Sequence, residues 1–180
     1  MVSRLAELDQ KRASAIIEMW RVKSTPVHIR LWAALARNEQ LASQEAIGNA
    51  FDDMGLKQFW DVNEYSEISE LRALRFGELS SDVKGRIAKR ILAKPPRKFW
   101  PKDADKERVE YARLYWAVRE LRRIEVAKNE LSVRSIAFLS KNIEKFPKLA
   151  EMLVSKDFPS GSRAYVVPAN PDNKLSLIHI

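Results

Sequence analysis

Between residues 3 and 155 the apolar residues recur at helical spacing, and residues that cap or stop helices interrupt them every dozen positions or so. An amphipathic helix buries one stripe only, so a succession of short ones must be packed against one another. The spacing predicts a first helix over about 3–23, with Leu5, Leu8, Ile16 and Trp20 on one stripe. A second, over 26–37, opens with Thr25 as N-cap and Pro26 at the first helical position. Ser43 is expected to cap a third helix that Gly55 ends as a C-cap. Further helices are expected over 64–76, 82–93 and 103–127, from Ser132 to residue 146, and briefly from Pro147 to residue 154. The stripe of Tyr111, Leu114, Tyr115, Val118 and Leu121, widened by Ala112 and Trp116, predicts burial of the longest helix on more than one side. The expectation is therefore an all-α chain of seven or eight helices, broken at Gly55, Gly77 and Pro95-Pro96. Its expected core includes Leu5, Ile16, Leu31, Trp32, Ile47, Phe51, Leu71, Leu74, Ile87, Ile91, Leu114, Val118, Leu121, Ile136, Phe138 and Leu139.

Three connections share one design. Asn38-Glu39-Gln40-Leu41-Ala42-Ser43, Gly77-Glu78-Leu79-Ser80-Ser81 and Asn129-Glu130-Leu131-Ser132 each run from a helix stop through Glu to a leucine and then to a capping serine. The leucine would plug the end of a helical hairpin, and the repetition predicts stacked antiparallel helical hairpins, an α-solenoid or HEAT-like segment. Met19-Trp20, Phe59-Trp60 and Phe99-Trp100 recur at a spacing of 40, within the range of such repeats, although Trp20 sits inside a predicted helix and the other two precede one.

The domain reading is a helical-repeat domain over 1–155, a linker or the start of a truncated element over 156–174, and a foreign tail over 175–180. Residues 156–174 carry three prolines and no helical periodicity, and Ala164-Tyr165-Val166-Val167 reads as coil because a lone strand has no partner. Leu175-Ser176-Leu177-Ile178-His179-Ile180 matches the translation of CTG TCT CTT ATA CAC ATC, a transposon mosaic end used in sequencing libraries. It is read as an adapter scar, with the native protein expected to continue past Lys174 and His28 its only histidine.

Composition removes several function classes. The chain has 180 residues, of which 46% are hydrophobic and 31% charged, as expected of a globular domain rather than a disordered polyelectrolyte. No apolar run approaches the ~18–20 residues a bilayer requires, and Glu7 and Asp9 interrupt any secretory leader, so a cytoplasmic location with no membrane partner is expected. Zero cysteines exclude disulfides, thiolate metal sites and thiol nucleophiles. His28 has no second ligand nearby in sequence. Asp52-Asp53 and Asp103-Ala104-Asp105 lie at predicted helix ends, where capping accounts for them. No phosphate-binding loop or nucleophile elbow occurs. Neither catalytic residues nor a cofactor or metal is predicted.

Charge is more informative. Residues 1–80 carry 10 Lys/Arg against 12 Asp/Glu, whereas residues 81–180 carry 22 against 12. The excess concentrates at Lys89, Arg90, Lys94, Arg97, Lys98 and Lys102, interleaved with Phe99 and Trp100, and a second cluster comprises Arg119, Arg122 and Arg123. In a nucleic-acid-binding module these cations would grip phosphates while Phe99 or Trp100 stacks on a base. In the other reading the aromatics fill a groove between hairpins and the cations form a solvated rim.

The stretches Arg86-Ile87-Ala88-Lys89-Arg90-Ile91-Leu92-Ala93-Lys94-Pro95-Pro96 and Arg113-Leu114-Tyr115-Trp116-Ala117-Val118-Arg119-Glu120-Leu121-Arg122-Arg123 resemble helical-repeat regions of large bacterial signal-transducing NTPases of the STAND class, some of which serve in antiviral defence. That family's nucleotide-binding motif is absent, so no catalytic residue carries over. The resemblance implies a recognition or scaffold segment whose engine lies elsewhere. The expected function is a non-enzymatic protein-interaction segment of a larger bacterial protein, partnered by another protein or by other domains of its own chain. Nucleic-acid binding through the basic and aromatic patch is the alternative.

Overall fold

The computed structural model describes residues 9–23 and 25–152, and every described element is helical. Asp9 caps α1 (Gln10–Val22) by accepting from the Arg12 N–H. Thr25 and Pro26 open α2 (Pro26–Leu35), as their order in the chain requires. There follow α3 (Gln44–Asp53), α4 (Leu56–Trp60), α5 (Ser66–Arg75), α6 (Ser81–Leu92), α7 (Lys106–Val126), α8 (Val133–Ile143) and α9 (Pro147–Ala150). Single 3-10 turns lie at Phe76–Glu78 and Arg97–Phe99. Nine α-helices thus stand among the described residues, where seven or eight were expected. The additional one is α4, a five-residue helix whose Phe59 and Trp60 are both buried.

The helices pack in a continuous order: α1 on α2, α2 on α5, α5 on α7, and α7 on α8. Around this spine α4 lies against α5, α3 against α6, α6 against α7 and α8, and α9 against α7 and α8. The expected multi-sided burial of the longest helix is found in α7, which touches α5, α6, α8 and α9.

All three repeated turns have the expected anatomy. The hydroxyls of Ser43, Ser80 and Ser132 accept from the N–H groups of Ala46, Val83 and Ser135, so each caps the helix that follows. Leu41 and Leu79 are buried and Leu131 packs against the core. The turns are also tied to neighbouring elements. The Arg75 guanidinium donates to the Ala36 and Ala42 carbonyls at 2.6 and 3.3 Å. The Asn129 amide donates to Ala73 O at 2.6 Å, and a Cβ on Gly77 would lie 2.2 Å from Asn129 Oδ1. A side chain at 77 would therefore push the Asn129 amide off Ala73 O, so Gly77 serves close approach between two turns rather than an unusual φ.

Several expectations are corrected. Gly55 is the N-cap of α4 with φ −62°, not a left-handed C-cap of α3. The left-handed helix ends belong to Lys94 (φ 60°) and Lys128 (φ 66°). Leu31, Leu74 and Ile136, expected in the core, are exposed. Ile16 is half-buried because Ile17, one position on, faces inward, and Leu114 and Phe138 are likewise only partly covered. The tryptophans spaced by 40 occupy unlike environments: Trp60 is buried in the core, Trp20 packs partly against it, and Trp100 lies outside it. Leu5, the linker over 156–174 with Ala164 to Val167, and the tail over 175–180 fall outside the described residues.

Candidate functional site

The sequence-predicted patch divides according to what its side chains bond. Arg90 projects from α6 to the end of α3, donating to Met54 O at 2.7 Å and Phe51 O at 3.3 Å, with its guanidinium 4.2 Å from the Phe59 ring centroid. This neutralises carbonyls that α3 leaves unpaired. Burial lowers the Arg90 pKa, and the nearby charge of Arg72 adds to the effect. Arg97 fastens the loop after the second 3-10 turn, donating to the carbonyls of Trp100, Pro101, Lys102 and Ala104. Lys94 Nζ lies 3.4 Å from Glu110 Oε2.

The second cluster points in three directions. Arg119 donates to Glu120 Oε1 at 3.0 Å. Arg122 reaches the Leu149 and Ala150 carbonyls at 3.2 and 2.9 Å and so holds α9 on α7. Arg123 donates to Ser69 Oγ at 2.9 Å, toward α5. Six of the nine candidate phosphate-binding cations thus bond the protein's own backbone or side chains. Lys89, Lys98 and Lys102 are exposed and reach no partner among the described residues.

The two candidate stacking rings also separate. Phe99 packs against the core from the edge of the molecule, as a groove filler would. Trp100 does not join the core. It lies on Trp116 of α7, ring centroids 5.3 Å apart and tilted by 50°, and both rings are partly exposed. The Arg119 guanidinium is 5.7 Å from the Trp116 ring centroid, completing an aromatic and cationic shelf along α7.

An interior charge network escaped the sequence reading. Arg72 of α5 and Glu120 of α7 pair with both side chains essentially inaccessible, and the Ser69 hydroxyl donates to the same Glu120 oxygen at 2.5 Å. Burial pushes the Glu120 carboxyl up, but the charges of Arg72, Arg119 and Arg123 with the Ser69 bond outweigh it and hold the group well below the usual carboxylate range. Nearby, Glu70 pairs with Arg37, and burial raises its pKa against the influence of Arg37. Arg30 forms a two-pronged pair with Glu67 at 2.8 Å on each oxygen. The sequence signal was present but ambiguous: Ser69, Glu70, Arg72 and Arg75 in α5 read as a solvated face until a neighbour covers it.

The remaining reactive candidates take structural roles. His28 Nδ1 contacts Thr25 Oγ1 at 2.6 Å within the cap of α2. Asp52 forms a two-pronged pair with Arg86 at 2.8 and 2.6 Å, and this interaction holds its carboxyl below the ordinary range. Asp105 caps α7 by accepting from the Arg108 N–H at 2.8 Å. Phe51, Asp52, Phe59, Arg86, Ile87 and Arg90 line an open cleft of about 200 Å³, whose arginines are occupied by the bonds just described. No group of three His, Cys, Asp or Glu among the described residues could hold a metal. No described helix is long and apolar enough to cross a membrane. No family model, curated protein or solved structure matches the chain.

Proposed function

We propose that this helical unit is a non-enzymatic protein-interaction segment, a recognition or scaffold part of a larger bacterial protein. The observation that carries the reading is the division of the cationic patch: most of its donors bond the protein's own carbonyls, carboxylates or, for Arg123, a serine hydroxyl. Such groups shape and stiffen a surface rather than grip phosphate. The neighbour-to-neighbour order of α1, α2, α5, α7 and α8, together with the similarly capped turns, supports an α-solenoid architecture, which offers an extended outer surface to partners. Assignment to a STAND-class signalling or defence NTPase rests on the resemblance of the two α6 and α7 stretches alone.

Chemical cross-linking in the native host, followed by nuclease digestion and mass spectrometry, tests this reading. It predicts a protein or another domain of the same polypeptide joined reproducibly to this unit after nuclease treatment. Nucleotide turnover by the purified chain, or cross-links that vanish with nuclease, would overturn it.

The partial exposure of Trp100, with Lys98 and Lys102 beside it in sequence, favours nucleic-acid binding as the second reading. Of the nine candidate cations only Lys89, Lys98 and Lys102 are unengaged, so the patch alone should give an oligonucleotide log–log salt slope no steeper than about −2 to −3, at roughly −0.7 to −0.9 per phosphate. A steeper slope would show that cations beyond these three reach phosphates.

A further inference from the structure

We infer that the shelf formed by Trp100 and Trp116 is a docking site for an acidic peptide segment that brings an apolar or aromatic anchor onto the two indoles. The inference rests on the protein-interaction reading and names the surface and the partner chemistry. Two tryptophans of this chain, Trp32 and Trp60, are completely buried, whereas Trp100 is held on Trp116 outside the core. Trp, Tyr and Arg are the residues most often found at the energetic centres of protein interfaces, and this shelf combines Trp100, Trp116 and Tyr115 with Arg119.

Charge selects the partner. Residues 94–119, which build the shelf, carry eight Lys/Arg against four Asp/Glu. Of the acidic groups there, Glu110 is shared between Lys94 and Arg113, and Asp105 is engaged in capping α7. The local field is therefore positive, although most of the guanidinium donors have internal acceptors. A phosphate backbone needs free donors at each contact. An acidic peptide needs the field, one or two free ammonium groups such as Lys98, and an apolar seat, and the shelf provides all three.

The test uses the full chain and a fluorescein-labelled 14-residue peptide, EEWEELEEWEELEE, read by fluorescence anisotropy in 50 mM NaCl. Two comparison probes are the same peptide with serine at its four apolar positions and a labelled 14-nucleotide oligothymidylate. Saturable binding of the acidic apolar peptide is expected, at least tenfold tighter than binding of the serine version or the oligothymidylate. Trp100→Ala, which leaves the charge unchanged, should weaken binding at least tenfold while circular dichroism stays native. Should that variant fail to fold, the exposed-site double variant Lys98→Glu/Lys102→Glu should give the same loss. Equal binding of the two peptides, no binding, or unchanged affinity in the folded variants would overturn the inference. Tighter binding of the oligothymidylate would assign the shelf to nucleic acid instead. A failed peptide assay alongside a nuclease-resistant protein cross-link would place the docking surface elsewhere and leave the protein-interaction reading intact.

Discussion

Lys128 adopts φ 66° at the end of α7, where the N–H groups of residues 128 and 129 bond back to the carbonyls of Glu125 and Ile124 at 2.9 and 3.2 Å. This is a Schellman ending with a β-carbon where glycine fits better. The left-handed conformation costs an L-residue roughly 1–2 kcal/mol, and part of any relief is offset by the greater unfolded-state freedom of glycine. Lys128→Gly should therefore stabilise the fold by about 0.5–1 kcal/mol in urea unfolding. The strongest residue-level dependence belongs to Glu120. Breaking a buried ion pair on one side costs about 3–5 kcal/mol, so Glu120→Gln should lower stability by that order at pH 7. Because the folded-state pKa of Glu120 is depressed, its contribution is fully present above the ordinary carboxylate pKa of 4.5 and is lost as the pH falls below it. Glu70 acts in the opposite sense, since its folded-state pKa is raised: its contribution is present at low pH and is lost as the pH rises through its folded-state value. Melting temperatures from pH 7 to pH 3 should fall less steeply for Glu120→Gln than for the unaltered chain.

At the scale of the element, α9 is the shortest described helix and depends on a few side-chain contacts. Phe146 lies against Tyr111 and Tyr115, with ring centroids 5.0 and 5.4 Å apart, and Arg122 binds the carbonyls at the far end of the helix. A four-residue helix has almost no stability of its own, so these tertiary contacts must supply it. Phe146→Ala should release α9 preferentially, raising amide exchange over residues 149–152 at least tenfold while α5 and α7 keep their protection. Uniform acceleration throughout the chain would show that α9 is integral to the cooperative core. The helix ends were legible in the sequence, because Ser43, Ser80, Ser132 and Thr25 act through bonds three residues away. The brief helix α4 was not, because five residues contain less than two helical turns of pattern and Gly55 serves equally as a stop or a start.

For the molecule as a whole, the order of packing predicts graded stability. The principal neighbour of α1 is α2, while α5 and α7 are covered by several elements each. Amide exchange should therefore be slowest in α5 and α7 and fastest in α1 among the helices of ten or more residues, and equal protection throughout would contradict the layered order. The sequence by itself determined the helical class, most of the helix boundaries and the serine and threonine caps, since each depends on residues within one or two turns of one another. It also determined which half carries the positive charge. Only the tertiary structure decided which cations remain available, because Arg90, Arg97, Arg122 and Arg123 find acceptors on other elements or across a loop. The same holds for Leu31 and Leu74, apolar yet exposed, and for Arg72 and Glu120, charged yet buried. Periodicity identifies a stripe, but the neighbour that covers it comes from distant parts of the chain, and coverage is what turns a charged face into an interior ion pair.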